Sequence, residues 1–219
     1  MYHFIFPTQD NWVSSGSSTV TGESFKDQNF GRDQILEVRK EFFNNSFDHQ
    51  TRALVNFEGT DFTNMSKSIV DGTIDNPKFY LRLYEAEGNA EMTEEYKLAV
   101  QPISMSWVEG TGKFGDNPKN TNGCSWENRS NPIGGTELIW SGSGRGVTVI
   151  TSSVYNDVVS SSTQTFSNQS PDVEIEVTDM VNMWLGAVRP NNHTVSNYGM
   201  LIRFSGSQET DADTFGHLK

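Results

Sequence analysis

SWVEGTGKFGDNPKNTNGCSW, residues 106–126, is the stretch on which the reading of this chain turns. Two tryptophans bracket glycines, asparagines, a proline and alternating charges, a composition that is neither helix nor regular strand. A loop this long in a compact domain is either functional or held down by its own side chains. The question is whether it binds something or closes a core.

The flanks of the loop read as β-structure. Tyr96–Ile103 is a strand leading into it, and in Phe79–Glu85 the residues Phe79, Leu81 and Leu83 alternate against Tyr80, Arg82 and Tyr84. Thr51–Phe57 sets Ala53, Val55 and Phe57 opposite Arg52, Leu54 and Asn56, and Gln34–Arg39 alternates in the same way. Tyr2–Phe6 reads as a first strand stopped at Pro7, because proline cannot donate to a ladder. Residues 8–33 read as a polar surface segment with at most one short strand, anchored by Trp12, Val13, Val20, Phe25 and Phe30. Phe42, Phe43 and Phe47 are expected to fold over a sheet end. Residues 58–70 can form a helical turn, with Asp61 as cap and Phe62, Met65 and Ile69 at helical spacing.

Beyond the loop, Glu137–Trp140 and Val147–Ile150 are short strands joined by SGSGRG. The acidic run 85–95 and the Ser/Thr-rich residues 151–170 read as polar connections. Val173, Ile175 and Val177 alternate with polar residues, and Thr178-Asp179 then opens a short helix that buries Met180, Val181 and Trp184 and stops at Gly186. Asn197-Tyr198-Gly199 turns into the strand Met200–Phe204. Short strands joined by Gly/Asn/Ser loops predict an all-β, antiparallel, jelly-roll-like β-sandwich with one or two short helices and long polar loops. A single domain over residues 1–219 is expected, with a mobile or truncated tail from about residue 207.

Composition narrows the function. The net charge is −12 and the 16 Lys and Arg residues are scattered, so the basic footprint of a nucleic-acid groove is missing. The single cysteine, Cys124, excludes an internal disulfide and a cysteine-based metal cluster, and it points to assembly in a reducing compartment. MYHFIFPTQDNWVSSG has no basic region before its apolar run and no small-residue cleavage site, so it does not read as a secretory signal. No apolar run approaches the length of a membrane-spanning helix.

Four pieces in order resemble the DNRLRE-type β-sandwich, a module of cell-surface, carbohydrate-associated and phage virion proteins. Asn29-Phe30-Gly31, followed by Ile35–Val38, is similar to its early Asn-aromatic-Gly turn. Arg52–Phe57 and Tyr80–Tyr84 resemble its central strands. Trp107–Gly112 with Ser125-Trp126 resembles its tryptophan-acid loop. Val177–Trp184 and Asn197–Met200 resemble its short helix and final turn. Without a signal peptide or an accompanying anchor, the chain looks like the phage branch. That resemblance implies a virion protein made in the host cytoplasm, with other virion proteins as partners in a multi-copy assembly.

The chemistry of the loop leaves several roles open. His3, His49, His193 and His217 show no metal-ligand spacing, there is no G-x-S-x-G elbow, and GSGRG at 142–146 lacks the Lys-Ser ending of a phosphate loop. Cys124 has no evident histidine partner and reads as a small buried residue, so no enzyme is expected. Glu109, Asp116 and Glu127 flank the loop. Paired acids hydrolyse glycosides when held about 5–9 Å apart, and with the carbonyls of Asn117, Asn120 and Asn122 the same acids could instead hold a structural calcium. Trp107 reads as core, sharing a strand face with Met105, as do Trp140 and Trp184. Trp126 is open between core and sugar platform, and Trp12 is unassigned. The candidate partner- or glycan-contact residues are Glu109, Lys113, Phe114, Asp116, Trp126 and Glu127. They serve either a virion contact or, in the alternative, a carbohydrate-binding module for surface glycan.

Overall fold

In the computed structural model the strands are β1 (Gln9–Ser14), β2 (Val38–Phe43), β3 (Ser46–Asn56), β4 (Tyr80–Leu83), β5 (Glu95–Pro102), β6 (Asn128–Ser130), β7 (Leu138–Ile139), β8 (Ser162–Ser167), β9 (Val173–Glu176), β10 (Met200–Phe204) and β11 (Gly216–Leu218). Among the described residues three helices join them: α1 (Thr60–Val70), α2 (Thr178–Leu185) and α3 (Ser207–Thr210). The structure describes residues 2–43, 46–86, 95–142, 144–150, 162–167, 172–185, 195–210 and 216–218. Every strand pairing among them is antiparallel, so the chain is all-β as expected. The expectations for residues 87–94, 151–161 and 168–170, and for Gly186 and His193, lie outside the described residues.

The organising element is a seven-stranded sheet in the order β11-β2-β3-β10-β5-β8, with β1 paired to β3 beyond the end of β2. It is buried on both faces because β3 and β10 carry apolar residues at consecutive positions. Ala53 and Val55 with Met200, Ile202 and Phe204 face one core, whereas Leu54 and Leu201 face the other. The first core is closed by the β4–β9 ladder and by α2, through Leu81, Ile175, Val177, Met180, Met183 and Trp184. The second is closed by the 103–150 region, through Ile103, Trp107, Cys124, Trp126, Trp140 and Val147. Each fully buried Leu, Ile or Val in these layers contributes about 1.5–3 kcal/mol.

Where the alternation is clean, the elements fall as read. In β4, Leu81 is buried, Leu83 packs on the first core with Phe79 just before the strand, and Tyr80 is exposed, as is Tyr84 just after it. In α2, Met180, Val181 and Trp184 point inward. Helix α1 forms over the expected residues, with Phe62 and Met65 leaning on the first core. Its cap is Gly59, at φ +94°, instead of Asp61, which lies in the first turn.

Several expectations are corrected. Tyr2–Phe6 forms no strand: Tyr2, Phe4 and Phe6 are 93%, 64% and 77% exposed, and the first strand starts beyond Pro7 at Gln9. Residues 8–33 are a surface segment only in part: β1 is the one short strand, and Trp12, Val13 and Phe30 are buried together with Asn11, Gln28 and Asn29, whereas Val20 is exposed. The second strand begins at Val38, four residues later than the alternation from Gln34 suggested. Phe42 and Phe43 lie within β2 and Phe47 within β3, and the expectation for their side chains lies outside the described residues.

Among the described residues after 207, Gln208 and Glu209 are hydrogen-bonded to the sheet. Glu209 in α3 receives a two-pronged bond from Arg52, Nε–Oε1 at 2.7 Å and Nη2–Oε2 at 3.0 Å, and a third bond from Arg203 at 2.6 Å. Its neighbour Gln208 accepts from the Lys97 backbone N–H at 2.6 Å, and its carbonyl accepts from Lys40 Nζ at 2.7 Å. Further on, β11 adds to the edge of β2.

Candidate functional site

The 106–126 loop is built around a side chain outside it, Asn29. Asn29 Nδ2 donates to the carbonyl oxygens of Glu109 (2.6 Å) and Cys124 (2.8 Å), and its Oδ1 accepts from the backbone N–H groups of Gly112 (2.7 Å) and Gly31 (3.2 Å). One fully buried amide thus satisfies four backbone groups and clamps the two arms of the loop together. Asn11 Nδ2, from β1, adds bonds to Glu109 O (2.9 Å), Cys124 O (3.3 Å) and Cys124 Sγ (2.8 Å).

The glycines follow from this clamp. A Cβ on Gly31 would lie 2.2 Å from Glu109 O, and one on Gly110, at φ +88°, would lie 2.2 Å from Asn122 O and 2.4 Å from Asn29 Oδ1. Only glycine lets the backbones approach so closely.

The three indoles of this region are core. Trp107 and Trp126 are 5% and 6% exposed, and Trp140 is fully buried. Each N–H reaches a carbonyl: Trp107 to Tyr198 (2.8 Å), Trp126 to Gly144 (3.0 Å) and Trp140 to Ser125 (2.8 Å). Trp126 also carries the Arg52 guanidinium 4.7 Å from its ring centroid, which joins it to the Arg52–Glu209–Arg203 network. The open question about Trp126 is therefore resolved as core, and Trp107 and Trp126 present no sugar-stacking platform. Trp12 is core as well, stacked on Phe30 at 3.8 Å and 9°.

The remaining candidates do not converge. Phe114 is exposed and caps the aromatic group of Trp12, Phe25 and Phe30, with its ring 5.6 Å from Phe25. Lys113 is exposed, and its backbone N–H donates to Asp116 Oδ2 at 2.8 Å. Asp33 accepts from the Phe114 N–H (3.2 Å) and Trp12 Nε1 (3.0 Å). Its pKa is nevertheless raised, by burial first and further by the nearby Asp116 and Glu37 charges. Glu109 sits apart from these, half-buried against Asp10. Burial and the Asp10 charge raise its pKa, opposed by the Asp10 N–H and by Arg32. Glu127 is half-buried in a third place, where its N–H donates to Lys26 O at 3.0 Å.

Among the described residues no three His, Cys, Asp or Glu side chains come together as a cation site, so Glu109, Asp116 and Glu127 do not form the calcium cluster considered from the sequence. The Cys124 thiol is fully buried, and burial pushes its pKa up, the reverse of what a nucleophile needs. Sequence reasoning missed Asn29 as a clamp, together with Asn11, Asp33 and the Arg52–Glu209 pair. The Asn-aromatic-Gly signature did mark the turn.

No match to the chain is found among protein-family models, curated proteins or solved structures. Among the described residues no helix is long and apolar enough to cross a membrane.

Proposed function

We propose that this chain is a non-enzymatic structural component of a tailed-phage virion, in the tail, baseplate or neck. In this reading it is made in the host cytoplasm and acts through protein–protein contacts in a multi-copy assembly. One observation carries the choice of a contact role over a catalytic or sugar-binding one. The two tryptophans of the 106–126 loop are turned inward to hold it, while large apolar side chains stand exposed on separate surfaces. These are Tyr2, Phe4 and Phe6 ahead of β1, Tyr80 and Tyr84 on β4 and just after it, and Ile133, Leu138 and Ile139 around β7. Exposed apolar surface in several places is a feature of chains that meet several neighbours. The ordered resemblance of its motifs to a sandwich module found in phage particles supplies the virion context. A carbohydrate role loses the two indoles from which it was read.

The test is fractionation of purified particles. Under this proposal the chain copurifies at a fixed stoichiometry with the tail or neck fraction and stays bound through a salt wash. Recovery only in the unassembled fraction would sink the proposal.

A further inference from the structure

We infer that Asn122-Gly123 is a latent deamidation site, kept unreacted by the hydrogen bonds that close the 106–126 loop and converted irreversibly when that loop opens. It is the one Asn-Gly step in the chain. The step is reactive because glycine has no Cβ to keep its backbone nitrogen off the preceding side chain. In the reaction the Gly123 nitrogen loses its proton to solvent base and attacks Asn122 Cγ. A new C–N bond closes a five-membered succinimide, and the Cγ–Nδ2 bond breaks as ammonia leaves with a proton. Water then opens the ring at one of its two carbonyls and leaves either an aspartate or an isoaspartate. The sum is amide plus water to carboxylate plus ammonium, so solvent is the only co-reactant. Solvent reaches Asn122, which is half-buried on the polar side of the loop with Asn117, Asn120 and Thr121.

The folded loop denies the nitrogen its approach. The Gly123 N–H donates to Asn131 O at 3.3 Å, and Gly123 is itself buried. A Cβ on it would meet Gly110 Cα at 2.4 Å and Asn29 Nδ2 at 2.7 Å, so the backbone has no room to turn there. Asn122 is held through its other atoms. Its N–H donates to Asn120 Oδ1 (2.9 Å), its carbonyl accepts from the Thr111 N–H (3.4 Å) and its Nδ2 donates to Thr111 Oγ1 (3.4 Å). On the far side the Cys124 N–H donates to Val108 O at 2.6 Å, and the Cys124 carbonyl accepts from Asn29. Swinging the Gly123 nitrogen onto Cγ breaks the bond to Asn131 and those between Thr111 and Asn122 together, which amounts to local opening of the loop.

The two products differ in what the loop can tolerate. An aspartate keeps its place, because the Thr111 hydroxyl can rotate to donate to the new carboxylate while still accepting from Asn120 Nδ2. An isoaspartate adds a carbon to the main chain ahead of Gly123. That pushes Gly123 toward Gly110 and Asn29, where a single added atom already collides. The Asn29 amide then loses the backbone arrangement it clamps, so a chain that has opened and reacted through the isoaspartate branch does not close again. Opening is thereby recorded as a covalent change, and the converted fraction measures the time the loop has spent open.

This inference rests on the loop geometry and does not depend on the virion proposal. The intact protein and a peptide spanning residues 118–126 are held in mildly alkaline buffer, and the NH2-to-OH mass gain at Asn122 is followed by peptide mapping. Native-state hydrogen exchange at the Gly123 amide gives the open fraction in the same buffer. Asn122 in the intact protein should convert ~100-fold or more slowly than in the peptide, by the factor that slows exchange at Gly123. Asn29→Ala removes the clamp and should speed conversion ~10-fold or more. Should that variant fail to fold, urea below the unfolding transition opens the loop of the unmodified protein instead, and conversion should rise in step with Gly123 exchange. The isoaspartate product, separated from unreacted protein, should melt at a lower temperature than Asn122→Asp. Conversion as fast in the intact protein as in the peptide, protection that does not follow Gly123 exchange, an Asn29→Ala chain that converts no faster, or an isoaspartate product as stable as Asn122→Asp would each overturn the inference.

Discussion

Asn29→Ala should be among the most damaging single changes outside the two apolar cores. The substitution deletes an amide that serves four backbone groups. The Glu109 and Cys124 carbonyls keep a second donor in Asn11, so their loss is partial. The Gly112 and Gly31 N–H groups lose the Asn29 acceptor in a buried setting. Each orphaned buried group costs about 1–3 kcal/mol, and the cavity left by the amide adds to this. The expected destabilisation is about 2–5 kcal/mol, or a thermal midpoint lowered by ~10 °C for a chain of this size. Urea unfolding followed by tryptophan fluorescence measures it, with the midpoint falling and the slope unchanged. Asn29→Asp separates shape from hydrogen bonding: it keeps both acceptor positions but turns an oxygen toward two carbonyls and buries a charge. At pH 7 it should be at least as damaging as alanine, with part of the loss recovered in acid as the carboxyl is protonated. A loss below about 1 kcal/mol for Asn29→Ala would refute the clamp.

Two further outcomes follow from the electrostatics. Glu109→Gln should raise the thermal midpoint at pH 7, with the gain fading toward pH 4. Glu109 has a raised folded pKa, so its charged form is disfavoured in the fold and stability falls as pH rises from the unfolded value through the folded one. Glutamine keeps the acceptor for the Asp10 N–H, and an equal gain at every pH would contradict this origin. Glu209→Gln leaves the Arg52 and Arg203 guanidinium groups without their shared carboxylate in a largely buried setting. A loss of about 2–4 kcal/mol is expected, with faster hydrogen exchange in α3, and unchanged exchange there would count against Glu209 as the anchor.

The all-β class was legible because β4, β9 and α2 each bury one face, which leaves a period of two or of 3.6 in the sequence. It failed where that condition failed. In β1, Asn11, Trp12, Val13 and Ser14 are all buried, so a strand core looks like a polar loop. Tyr2–Phe6 carries the aromatic signal of a strand and none of its burial, because nothing within the described chain pairs with it. The Asn29-Phe30-Gly31 turn was visible, but its partners lie 80 to 95 residues away and no local pattern encodes such a contact. Trp126 was undecidable for the same reason, since the arginine over its ring comes from β3.

The position of β10 between β3 and β5 has a consequence for biosynthesis. Residues 200–204 leave the ribosome after every other strand of the large sheet except β11. Until they arrive, β3 and β5 have no common partner, and both cores lack the residues β10 contributes to them. Between the synthesis of β8 and that of β10 the nascent chain thus carries two half-sheets with open inner edges, and the sheet closes late through pairings of large sequence separation. Such a chain folds slowly and depends on protection of those edges while it is being made.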